Sequence, residues 1–83
     1  QKEQNMTPRE AMLKALELAM TEKELMYALN VARQIFETFG KSEKLDELMQ
    51  RILKDAETQR NGFILMSAAC LYSEMAASEV TSA

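Results

Sequence analysis

The chain has 83 residues, of which 47% are hydrophobic and 28% charged, and a net charge of −3; this is one domain's worth of sequence, too apolar for disorder and too short for a large core. Residues 1–20 and 41–60 are each neutral in sum, 21–40 carry −1 and 61–83 carry −2, so there is no basic arm for nucleic acid or an anionic membrane, and no DNA-mimicking acidic surface. Zero His, a single Cys (Cys70) and two widely separated Gly (Gly40 and Gly62) argue against a zinc or disulfide site, His-based acid–base catalysis and a phosphate-cradling Gly-rich loop.

The first helical signal is Thr7-Pro8-Arg9-Glu10, a capping box with proline at the one helical position where its missing N–H costs nothing. The helix it opens is expected over about 8–20. Ala11, Met12, Leu13, Ala15, Leu16, Leu18, Ala19 and Met20 spread over roughly 220° of its circumference, which predicts partners on more than one side.

Thr21-Glu22-Lys23-Glu24 repeats the capping-box pattern, with Met20 and Leu25 placed for a hydrophobic staple, so a second helix is expected over about 22–39. Leu25, Ala28, Leu29, Ala32, Ile35, Phe36 and Phe39 fall within roughly 120°, and Gly40 supplies the left-handed residue that ends helices. Met26 sits at the edge of that stripe with Tyr27 and Val31 further round, and these three are candidate contacts for a protein partner.

Ser42 is the expected cap of a third helix, about 43–58, whose first turn carries Glu43, Asp46 and Glu47. The helix dipole accounts for those carboxylates without a metal or an acid–base pair. Leu45, Leu48, Met49, Ile52, Leu53 and Ala56 form its core stripe. Asn61-Gly62 then reads as a turn or C-cap.

A fourth helix is expected over about 62–77. It has two apolar faces: Ile64, Ala68, Leu71 and Met75 on one, Phe63, Met66 and Cys70 nearly opposite. One face belongs to the core, and the other three residues are candidate contacts between copies of the chain. The charge-free run Asn61–Ser73 spans 13 residues, short of the about 20 a bilayer requires. Cys70 has its nearest basic neighbour in sequence ten positions away at Arg60, which predicts an inert thiol. No basic-then-apolar signal opens the sequence, so the expected location is the reducing cytoplasm. Residues 1–6 and 79–83 are expected to fray.

The stretch Thr21 to Phe36, TEKELMYALNVARQIF, resembles the helix-turn-helix of phage-repressor-type DNA-binding proteins. The resemblance covers about one-fifth of the chain and implies a turn at Asn30, base readers Arg33 and Gln34, and phosphate contacts Lys41 and Lys44. Met26 stands where that pattern carries a small residue, and one continuous helix with Asn30, Gln34 and Glu37 on its wet face requires no departure. The reading that accommodates most of the sequence is an all-α, four-helix bundle in a single domain. It is expected to be a non-catalytic protein–protein interaction module, regulatory or adaptor in kind, working as a homo-oligomer, most simply a dimer, without cofactor or metal. The alternative is a helix-turn-helix regulator using residues 21–39.

Overall fold

The computed structural model describes residues 5–81, and side chains through residue 78. It contains four helices, α1 (Pro8–Thr21), α2 (Leu25–Phe39), α3 (Glu43–Thr58) and α4 (Gly62–Thr81), and no strand among the described residues. The all-α expectation therefore holds, with α3 at its expected bounds. The expected fraying of 1–4 and 82–83 lies outside the described residues.

α1 starts as its sequence requires. The Thr7 hydroxyl accepts from Glu10 N–H and the Glu10 carboxylate accepts from Thr7 N–H, both at 3.1 Å, which satisfies two of the N–H groups every helix leaves unpaired at its start. The second expected capping box does not form. Thr21 is instead the last residue of α1, with its hydroxyl donating to Glu17 C=O at 3.0 Å. Lys23 N–H then donates to Met20 C=O and Glu24 N–H to Ala19 C=O, the paired bonds of a Schellman ending. α2 begins three residues later than expected, at Leu25, with no side-chain cap on Glu24. The staple pair Met20 and Leu25 is nevertheless buried.

The turn before α4 is built the same way. Arg60 N–H donates to Glu57 C=O and Asn61 N–H to Ala56 C=O, and the left-handed residue is Arg60 at φ 57°, as Lys23 is at φ 60° in the first turn. Asn61 is thus an N-cap rather than a C-cap, its side-chain oxygen accepting from Ile64 N–H at 3.1 Å. Only the middle connection uses glycine for its left-handed residue: Gly40, at φ 83°, donates to Phe36 C=O at 2.9 Å. Ser42 then caps α3 through Leu45 N–H. α4 runs to Thr81, four residues past its expected end, because nothing after Ala76-Ala77 is a helix breaker.

α2 and α3 are central. α1 packs against both from one side and α4 from the other, while α1 and α4 do not meet among the described residues. The Cα extents of 47 × 36 × 15 Å describe a slab only two helices thick, given a Cα radius near 2.3 Å and interaxial distances of about 8–10 Å. Its interior holds Leu16, Met20, Leu29, Ile35, Leu45, Leu48, Met49, Ile52, Leu71 and Met75, with Ala19, Ala28, Ala32, Ala56 and Ala68 between them. Every member of the expected α3 stripe is buried except Leu53, which is half-buried, and all four of the expected inner residues of α4 are buried. Phe39 departs from expectation. Assigned to the α2 core stripe, it lies at the helix end with 38% of its surface exposed.

Ile52 is fully buried and Leu29 nearly so, and in a core this thin the Ile52→Ala or Leu29→Ala cavity costs about 2–5 kcal/mol. Chemical denaturation is expected to show either variant losing a large part of the total stability. Lys23→Gly and Arg60→Gly act in the opposite direction. Each relieves a left-handed backbone at a cost-bearing side chain and is expected to add about 1 kcal/mol, raising the melting temperature by about 4–8 °C.

Candidate protein-interaction face

α4 is apolar around most of its circumference. Between Asn61 and Ala77 its sole charged residue is Glu74. The inner stripe Ile64, Ala68, Leu71 and Met75 is buried, whereas Phe63 and Met66 keep 67% and 66% of their surface exposed. Cys70, Ser73 and Ala77 continue the exposed stripe. A helix with apolar residues all round belongs in an interior, and α4 has interior on one side only.

α2 meets this face along one edge. Arg33 Nη1 and Glu74 Oε1 are 3.6 Å apart across the α2–α4 seam. Met26 precedes Arg33 by seven residues and so lies on the same flank of α2, two turns earlier; Cys70 precedes Glu74 by four and lies on the corresponding flank of α4. Met26 is 44% exposed. Tyr27, 52% exposed, and Val31, half-buried against the core, lie round the other side of α2. The six candidate partner contacts thus divide: Phe63, Met66 and Cys70 share the α4 stripe, Met26 faces its margin, and Tyr27 and Val31 point elsewhere. Sequence periodicity missed two further exposed apolar side chains, Leu18 at 56% and Met6 at 58%. The broad apolar arc of α1 signalled surplus surface without identifying which residues would carry it.

The implied turn at Asn30 is absent. α2 is one helix from Leu25 to Phe39, and positive φ among the described non-glycine residues occurs only at Lys23 and Arg60, so the backbone departs from the helix-turn-helix resemblance. Of the residues that resemblance singled out, Gln34 is exposed, Arg33 is paired with Glu74, Lys41 lies in the α2–α3 connection, and Lys44 pairs with Glu17 of α1 at 2.9 Å.

The Glu17–Lys44 pair ties α1 to α3. Lys14 stands 3.8 Å from the same carboxylate. The hydrogen bond and the charge of Lys44 hold the Glu17 carboxyl below its ordinary value, and Glu17 raises Lys44 in return. Beside the start of α3, Lys41, Ser42, Glu43 and Asp46 face Tyr72 and Met75 across an open depression of about 410 Å³. Among the described residues no three carboxylates or thiols converge as a metal site would require, and no described helix is long and apolar enough to cross a membrane.

Comparison with known protein families, curated proteins and solved structures finds no match to this chain.

The ion pair sets a pH dependence with a defined sign. Because folded Glu17 titrates below the ordinary 4.5, its contribution is complete above that value and lost as pH falls through the folded one. Lys44, raised above 10.5, contributes fully below 10.5 and loses that contribution as pH rises through its folded value. An NMR titration of the Glu17 carboxyl is expected to give a midpoint below 4.5 that moves back upward in Lys44→Met.

Proposed function

We propose that this chain is a non-catalytic protein–protein interaction module, a small regulatory or adaptor protein of the cytoplasm that works as a homo-oligomer through the outer face of α4. The observation that carries this reading is the two-faced character of α4. Phe63 and Met66 are two of the largest apolar side chains in the protein and both stand about two-thirds exposed in one line on one helix. Singly exposed apolar residues are ordinary, whereas a continuous apolar helical stripe is a feature of surfaces that bind another chain. The composition agrees: without His, a second Cys or a Gly-rich loop, the sequence offers contact surface more readily than chemistry. A free, exposed thiol at Cys70 suits a reducing compartment. Met26 at the margin extends the surface with a side chain that adapts to its partner.

Sedimentation or light scattering over about 1 to 500 µM is expected to show the mass rising from one chain toward two. Met66→Glu places an unpaired charge in the contact and is expected to weaken association about 100-fold or more. Its melting temperature at low concentration should stay within a few degrees, since the side chain is exposed in the monomer. A mass of one chain at every concentration would overturn the reading.

A further inference from the structure

The exposed residues of α4 are spaced as a coiled-coil seam. Phe63, Met66, Cys70, Ser73 and Ala77 follow one another at intervals of three, four, three and four, the a/d alternation that keeps one stripe facing a partner helix. All five are exposed. Along the stripe the side chains fall in size, from Phe63 and Met66 at the start to Ser73 and Ala77 two heptads later.

Resting on the reading of α4 as a contact between copies, we propose that two copies pair antiparallel through this stripe, about a two-fold axis that passes between the two α4 helices at the level of Leu71 and Tyr72. In that register Met66 of each copy falls opposite Ala77 of the other and Cys70 opposite Ser73, while Phe63 reaches over the final turn of the other copy's α4. The bulk is then shared between the two ends of the seam: each Met66 layer combines a large residue with a small one, and the central Cys70–Ser73 layers combine two small ones. A parallel pair would set Phe63 on Phe63 and Met66 on Met66 at one end, which holds the axes apart and leaves Ala77 facing a void at the other. Antiparallel helices also place opposite dipole ends side by side.

Charge and area agree with a second copy as the occupant. Among the described side chains the single charge beside the stripe, Glu74, already has Arg33 at 3.6 Å, so two such faces meet without net repulsion and offer nothing to a strongly charged partner. Phe63 and Met66, two-thirds exposed, bring on the order of 250 Å² per copy by themselves. With the small seam residues and Met26 at the margin, the two copies together reach the lower end of specific interfaces, about 1,000 Å². The pair is therefore a weak, concentration-dependent dimer.

The register makes a prediction about thiols. Between antiparallel copies, the two Cys70 Cα atoms are offset along the axis by three residues, about 4.5 Å, in addition to the gap across the seam, so that pair is the more distant and the poorer placed for a disulfide. A thiol at position 73 of one copy would instead face Cys70 of the other. The test mixes two single-cysteine proteins, the native chain carrying an added affinity tag that makes it heavier and an untagged Cys70→Ser/Ser73→Cys, under mild oxidation at a concentration where the scattering mass shows dimer. The mixed crosslink is expected to form at least about tenfold faster than either crosslink between like chains. Like-chain crosslinks dominating would overturn the antiparallel register and leave α4 as the interface. Dimer mass with no crosslink of any kind would remove α4 from the interface, and a mass of one chain throughout would overturn both readings.

Discussion

A slab two helices thick has a single interior layer, so each helix can bury one stripe and no more. The buried alanines Ala19, Ala28, Ala32, Ala56 and Ala68 bring backbones close and keep that layer thin, and the larger side chains interlock between them. The remainder of the structure follows from this geometry. α3, with a polar outer face, loses nothing. α1 and α4 are apolar over more than one stripe, and they occupy the two outer positions, each against α2 and α3 but not against the other. Their surplus therefore has no interior to enter, which is why Leu18, Phe63 and Met66 stand in solvent.

Where sequence and structure agree, a single local signal dominates. Ser42, the acidic first turn and an unbroken stripe all point to the same start for α3, and the proline-containing box does so for α1. Where they part, two local signals compete for one residue. Thr21 can cap a new helix or extend the old one; extension wins because the Schellman bonds satisfy the last carbonyls of α1 while Met20 and Leu25 are buried together. The cost is a left-handed Lys23, a residue type that gives no warning of that conformation. Asn61 is ambiguous for a similar reason, since asparagine serves either end of a helix. Its neighbour Gly62 is helical, and the left-handed residue of the turn is Arg60.

The candidate site was half legible for a related reason. Period counting separates the two faces of α4, and the structure assigns the inner one to the core. It does not reveal that Met26 lies beside Cys70's flank while Tyr27 and Val31 do not, because that depends on which side of α2 receives α4. The same packing redirects charged residues that resemble a DNA-reading set. Arg33 becomes the counterion of Glu74, and Lys44 that of Glu17. Such exposed pairs contribute little to stability, and the Arg33–Glu74 pair leaves the margin of the α4 stripe electrically neutral.

Covering that stripe has a thermodynamic consequence for the monomer itself. A chain of 83 residues with one thin layer of core has little stability in reserve, and two left-handed side chains in its turns lower it further. Anything that binds the folded state and not the unfolded one adds stability by mass action. If a second copy covers α4, the fold is firmer at concentrations where it is paired than where it is dilute. The exposed stripe that makes the isolated domain look unfinished is then also what couples its folding to its association. Substituting Phe63 or Met66 by polar residues would make the monomer more soluble and remove that coupling, which gives a physical reason for keeping costly apolar surface on the outside of so small a protein.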